Sequence, residues 1–316
     1  MKKKKYLVTG GLGFIGSAIA NSLKGSITVI SRSSKDKNRI KNKNVKILIK
    51  DISAITKNDI EGVDCIYHCA STTHNYHVLT DTSVDVDTNI KGTLRILELC
   101  KDLTKKPKII YPATIQVYGN EYDNTKKPIT EESKIDPLGL YGITKLATEE
   151  ILKLYSRLYQ IPYLIARFTN VYGASETFDD PKKAWLNFAV MRAIRGENLN
   201  VYHGGNFKRD YIYIDDVIDA LHFLENKAVN ETYLIGYGKP VQFKDMINYI
   251  LEHTGNKSKI TPIPPPAFHN AVGITNFVAN TSKINKLGWH AQIDYTEGLK
   301  KIINHYKRYE ILRNTQ

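Results

Sequence analysis

Short runs dominated by Val, Ile, Leu and Tyr recur through the first half of the chain, separated by longer stretches in which apolar residues return every three or four positions. The runs are KYLVT (5–9), SITVIS (26–31), VKILIK (45–50), DCIYHC (64–69), PKIIYP (107–112) and PYLIARF (162–168). A near-continuous apolar run of this length reads as a strand buried on both faces, the habit of parallel sheets whose crossover helices cover both sides. The longer recurrences predict helices over 14–24, roughly 84–102 and 141–160. Alternation of this kind predicts an α/β fold, a Rossmann-type doubly wound parallel sheet. After residue 170 the elements shorten, prolines gather and TPIPPPAF (261–268) reads as a loop. The expected organisation is a dinucleotide-binding sheet domain over 1–170, rejoined by 209–236, and a smaller mixed α/β C-terminal lobe built from 171–208 and 237–316.

Composition leaves that picture in place and removes some function classes. With 316 residues, 42% hydrophobic and 24% charged, the chain can bury a substantial core. Its formal charge of +13 attracts polyanions, yet the lysines are spread along the chain, with no arginine cluster and no nucleic-acid-binding motif. A lysine-rich surface is therefore expected, with no nucleic-acid partner. MKKKKYLVTGG starts basic but lacks the apolar segment of a secretory signal, and no apolar run reaches membrane-spanning length. Cys65, Cys69 and Cys100 are too few for a disulfide framework. The expectation is a cytoplasmic protein with no membrane partner.

Three stretches carry candidate chemistry. In VTGGLGFIGSAIA, Gly10, Gly13 and Gly16 stand directly after a strand and at the start of a helix. Glycine allows a tight turn and close backbone approach to a pyrophosphate, and the helix start supplies unpaired N–H groups, so a dinucleotide is expected over Gly11 to Ile15, Phe14 included. The second strand ends in VISRSS, with no carboxylate to accept from a ribose 2′-hydroxyl. Ser31, Arg32 and Ser33 suit a 2′-phosphate instead, so NADP(H) is expected over NAD(H). YGITK sets Tyr141 and Lys145 at i and i+4, on one helical face. That spacing alone leaves a proton-transfer pair and a solvated face both open. Leu146, Ile151, Leu154 and Leu158 continue an apolar face, as core or as subunit contact. Cys65, His68 and Cys69 lack a second ligand pair at metal-site spacing and read as core residues, with no metal site.

Together these stretches resemble the extended short-chain dehydrogenase/reductase family of nucleotide-sugar epimerases, dehydratases and reductases. The resemblance runs through TGGLGFIG, HCAS (68–71), PATIQVYG (112–119), YGITK, RFTNVYG (167–173), RDYIYIDDV (209–217) and NTSKINKLGW (280–289), and so covers nearly the whole chain. It implies that Tyr141 is the acid or base at a sugar hydroxyl or ketone, and that Thr114 hydrogen-bonds the same sugar oxygen. It implies that Lys145 holds the nicotinamide ribose and draws the tyrosine's pKa toward neutrality, while hydride passes between sugar and nicotinamide. Asp51 and Ile52 would border the adenine, and Ala70 and Ser71 the cofactor phosphates and ribose. Thr72, Asn170 and Arg209 would bind substrate, the last two at the diphosphate of a nucleotide sugar in the smaller lobe. The family also implies a homodimer joined by a helix bundle. Structural alternatives are a turn cap for Asn170 and a surface ion pair of Asp210 with Arg209. His74 and His77, after the cofactor loop, face either substrate or solvent.

Two departures narrow the activity. Ile115 and Gln116 stand where the family's dehydratases carry an acidic pair, which disfavours 4,6-dehydration. No arginine lies in FHNAVGITNFVANTSK (268–283), where many relatives place a second phosphate-binding arginine, and His269 and Asn270 are the candidates to replace it. The expected activity is NAD(P)-dependent oxidoreduction at C4 of a nucleotide-diphosphate sugar. A 4-epimerase is the first reading, an NADPH-dependent 4-keto-sugar reductase the second, and a non-catalytic dinucleotide sensor the third. The joint presence of Thr114, Tyr141 and Lys145 argues against the sensor.

Overall fold

The computed structural model describes residues 3–72, 79–120, 127–178, 184–273 and 275–314, so His74 and His77 lie outside the described residues. Six strands occupy the first half: β1 (Lys5–Thr9), β2 (Ser26–Ser31), β3 (Val45–Ile49), β4 (Cys65–His68), β5 (Lys108–Thr114) and β6 (Tyr163–Phe168). Later come β7 (Asn170–Tyr172), β8 (Leu199–Tyr202), β9 (Lys208–Tyr213), β10 (Glu231–Ile235), β11 (Pro240–Gln242) and β12 (Ile260–Ile263). A seven-stranded sheet takes the order β10-β6-β5-β4-β1-β2-β3, with β1 to β6 paired in parallel. This is the doubly wound sheet that the apolar runs imply. β4 and β6 are buried along their whole length, which is why their sequences do not alternate.

The chain leaves β1 toward β2 and β3 on one side and returns to β4 on the other. Connections therefore diverge at the carboxyl ends of β1 and β4, the place where such sheets offer room for a ligand. Three helices matter there: α1 (Phe14–Ser22), α2 (Gly92–Lys101) and α3 (Leu140–Tyr159). The single helix expected over 84–102 is in fact a short turn at Ser83–Asp85, a π-helical stretch at Val86–Lys91 and then α2. On α3, Leu154 and Leu158 are exposed, while Ile151 packs against the core.

Two compact units divide the chain. One comprises Met1–Val117, Gly139–Phe168 and Ile218–Tyr233, the other Tyr118–Leu138, Thr169–Val217 and Leu234–Gln316. The second unit contains a three-stranded sheet, β11-β9-β7, and a two-stranded one, β12-β8. Among the described residues no helix is long and apolar enough to cross a membrane.

Two buried polar clusters brace the first unit. Arg167 on β6 holds Glu149 of α3 in a forked pair, Nε to both carboxylate oxygens at 3.1 and 3.2 Å and a terminal nitrogen to Oε2 at 2.6 Å. Glu225 accepts from Tyr67 Oη at 2.6 Å and Tyr6 Oη at 3.2 Å and pairs with Lys4. Such a carboxylate is tolerated because each oxygen is matched by a donor. Glu225→Gln removes the charge that these donors address, and we expect it to cost about 1–3 kcal/mol, read as a lower urea midpoint at unchanged m-value.

Candidate active site

At the end of β1 the backbone turns through Gly10, whose φ of +62° is open to glycine at little cost. A Cβ there would stand 2.7 Å from the backbone of Ala70, and one on Gly16 would stand 2.4 Å from Gly10 O. The loop closes with Gly13 N donating to Gly10 O at 3.0 Å, and α1 starts at Phe14 without an acidic residue in its first turn. The first N–H groups of α1, from Phe14, Ile15 and Gly16, thus form a donor set at the positive end of the helix dipole. This cradle fits the pyrophosphate of a dinucleotide.

Ser31 closes β2, its hydroxyl donating to Ser33 O at 3.2 Å, and Arg32 is exposed beside it. Asp51, just past β3, accepts from Ser53 Oγ at 2.7 Å and Ser53 N at 2.9 Å. Those two bonds, with a smaller contribution from the Arg32 guanidinium, hold its carboxyl below the usual range. Asp51 thus places a carboxylate near Arg32, one strand over from the end of β2. Ile52 is buried and packs over Gly92 at the start of α2.

Ala70 N donates to Thr9 Oγ1 at 3.2 Å, which ties the loop after β4 to the glycine turn. Ser71 and Thr72 are fixed by a residue that the sequence reading missed, Asn89 in the π-helical stretch. Its Oδ1 accepts from Ser71 Oγ at 2.9 Å and Thr72 N at 3.0 Å, and its Nδ2 donates to Thr72 Oγ1 and Thr144 Oγ1, both at 2.9 Å. All four capacities of the amide are used, so Asn89 locks the loop after β4 to α3. A sequence signal exists in NIKGT (89–93), where Asn89, Gly92 and Thr93 put small or polar groups on one helical face.

His68 continues the same network. Its Nδ1 is 2.8 Å from Thr9 Oγ1 and its Nε2 is 2.8 Å from Thr93 Oγ1. Thr93 Oγ1 donates to Asn89 O at 2.5 Å, so it accepts from Nε2–H, and Nδ1 accepts from Thr9. Burial, aided by the Lys145 charge, pulls its pKa down to about 3, and the ring stays neutral.

Thr114 ends β5 and Tyr141 stands in the first turn of α3, with the Thr114 hydroxyl close enough to act on the Tyr141 phenol. Burial pushes the Tyr141 phenol up to about 12, with the Asp85 carboxylate adding to the rise and Thr114 opposing it. Lys145, 2% exposed, donates from Nζ to Pro112 O at 2.6 Å and lies 4.0 Å from the centre of the Tyr111 ring. Burial lowers its pKa to about 7, against the opposing pull of Glu149 and Cys69. The expected depression of the tyrosine pKa by Lys145 is corrected here. The ammonium is turned toward Pro112 and Tyr111, and desolvation dominates the phenol.

In the second unit, Asn170 on β7 and Arg209 on β9 sit on neighbouring parallel strands, with Asn170 in register with Tyr211. Arg209 Nε donates to Thr275 O at 3.1 Å, and its guanidinium lies 4.8 Å from the Phe207 ring centre. Asp210 is no surface partner of Arg209. Neighbours on a strand face opposite ways, and Asp210 is buried, accepting from the N–H groups of Tyr237, Gly238 and Ala279 at 2.9, 3.0 and 3.1 Å. His269 lies close enough to Arg209 that burial and then the arginine's charge lower its pKa, whereas Asn270 is exposed.

The sequence profile of the NAD dependent epimerase/dehydratase family matches residues 6–236. The chain belongs to this family. A Methanocaldococcus jannaschii protein with the provisional name UDP-glucose 4-epimerase is 30% identical over 311 residues, spanning 95% of this chain and 98% of its own. A trifunctional UDP-glucose 4,6-dehydratase, UDP-4-keto-6-deoxy-D-glucose 3,5-epimerase and UDP-4-keto-L-rhamnose-reductase of Arabidopsis thaliana is 30% identical over 96% of this chain, which spans 47% of its length. Among solved structures, the UDP-glucose 4-epimerase of Thermotoga maritima with UDP-glucose superposes with a TM-score of 0.88 at 27% identity, covering 97% of this chain and 99% of that one. Relatives at similar identity thus carry the names of different reactions.

Proposed function

We propose that the protein is a nucleotide-sugar 4-epimerase acting on a UDP-linked hexose. The observation that carries this reading is the meeting of Thr114, at the carboxyl end of β5, with Tyr141 in the first turn of α3, and Lys145 one turn along the same helix. In its ionised form Tyr141 Oη takes the proton from the sugar C4 hydroxyl, and as the phenol it returns that proton to the C4 oxygen, which Thr114 Oγ1 holds in line. Lys145 holds the nicotinamide ribose. When bound, the nicotinamide accepts hydride from C4 and gives it back. The pyrophosphate is assigned to the N–H groups of Phe14, Ile15 and Gly16, the adenine to Asp51 and Ile52, the inner ribose and phosphates to Ala70 and Ser71, and the substrate to Thr72, Asn170 and Arg209.

Elimination of water needs an added proton donor after Thr114, and Ile115 and Gln116 offer none. That contrast supports epimerisation over 4,6-dehydration. The test is UDP-glucose incubated with purified protein and followed by proton NMR. UDP-galactose is expected to appear without added reductant, and formation of a 4-keto-6-deoxy sugar would overturn the assignment.

Arg32 supports a second reading, a reductase using NADPH. Its exposed guanidinium favours a 2′-phosphate, and Asp51 beside it moderates that preference. Arg32→Ala is expected to weaken NADPH binding roughly 10- to 100-fold by fluorescence titration, with NADH affinity unchanged. Equal losses for both dinucleotides would remove the 2′-phosphate role.

A further inference from the structure

Lys145 carries its amine in a place that disfavours the charged form, and an aromatic face lies beside that nitrogen. Tyr111 stands on β5, buried at 1% exposure, with Lys145 Nζ 4.0 Å from its ring centre. Its neighbour in sequence, Pro112, supplies the carbonyl that accepts from the same nitrogen at 2.6 Å. Tyr111 also meets the His68 ring, at 5.8 Å between centres and 33° between planes. His68 brings no competing charge, because Thr9 and Thr93 engage both its nitrogens in the neutral form.

We propose that Tyr111 is a positioning residue for Lys145, its ring face seating the ammonium in the direction set by Pro112 O. The inference rests on the reading of Lys145 as the residue that holds the nicotinamide ribose. A cation over an aromatic face gains most where water is excluded, and this is such a place. Lysine carries a flexible four-carbon stem, so without the ring the head would be free to turn among the groups around it. Those groups are Pro112 O on β5, Glu149 on its own helix, His68 on β4 and Cys69 just beyond it.

The experiment compares full-length wild type with Tyr111→Phe, Tyr111→Leu and Tyr111→Met. Site-resolved competitive acetylation by acetic anhydride, read by mass spectrometry from pH 6 to 11, gives the titration midpoint of Lys145 without requiring turnover. Tyr111→Phe keeps the ring and is expected to leave the midpoint where it is. Tyr111→Leu and Tyr111→Met are expected to lower it by about one unit. A drop of one unit leaves about tenfold fewer protonated lysines at pH 8, so kcat on UDP-glucose is expected to fall about tenfold there with KM little changed. A wild-type midpoint and pH profile in both aliphatic variants would overturn the proposal. Loss of folding in one of them, seen by circular dichroism, leaves the other to decide. If wild type turns over no nucleotide sugar, the functional reading fails, while the midpoints still answer whether the ring seats the lysine.

Discussion

Tyr141→Phe is expected to lower turnover of UDP-glucose by roughly 100- to 10,000-fold, the range that a positioned acid or base contributes. The substitution removes one oxygen and keeps the ring, so α3 retains its packing and the overall stability should move by no more than about 1 kcal/mol, the worth of one hydroxyl hydrogen bond. The oxygen removed is the phenol oxygen that the Thr114 hydroxyl influences. Thr114→Ala, which spares Tyr141, should therefore cost less than Tyr141→Phe, because it disturbs only the alignment of the sugar oxygen. The measurement is kcat and KM for each variant beside wild type, with circular dichroism as the control for folding. Binding of UDP-glucose by Tyr141→Phe should be nearly intact, since the proton moves only in the chemical step. Turnover within a few-fold of wild type would remove Tyr141 from the chemistry and, with it, the epimerase reading.

Much of the scaffold behind this prediction is legible in the amino-acid sequence. The apolar runs gave β1 and β2 to the residue and the other four strands of the first half to within two, because parallel strands buried on both faces leave a continuous signature. The glycine turn was legible because only glycine can stand where Gly10 and Gly16 stand. What escaped were relations set by register and packing. Asp51 comes beside Arg32 because β3 pairs with β2 across an intervening crossover, and no local pattern encodes that partnership. Asn89 looks like an ordinary polar helix residue until the π-helical stretch turns it toward Thr72 and Thr144. The family resemblance implies that Lys145 draws the phenol of Tyr141 toward neutrality. Burial decides otherwise, and burial belongs to the tertiary fold.

Lys145→Met is expected to abolish measurable turnover and yet to make the folded chain more stable at acid pH. For activity, loss of the group assigned to the ribose misplaces the reacting atoms, which costs about 100-fold or more. For stability the sign follows from the lysine's pKa, lowered by burial from 10.5 to about 7. Between those values the unfolded chain holds a proton that the folded chain has released, so folding of wild type becomes more favourable as pH rises through that window. Below pH 7 the folded chain must carry the buried charge. Methionine has similar length and no charge, so at pH 6 the variant should be more stable, by roughly 1–3 kcal/mol after allowing for the carbonyl of Pro112 left without its donor. The advantage should shrink steadily toward pH 10, where the wild-type lysine is neutral in the fold. Tyr141 does not blur the comparison, because its phenol titrates only near 12. Urea midpoints of both proteins at pH 6, 8 and 10 test this. A stability difference that stays constant with pH, or grows, would show that Lys145 keeps an ordinary lysine's affinity for its proton inside the fold.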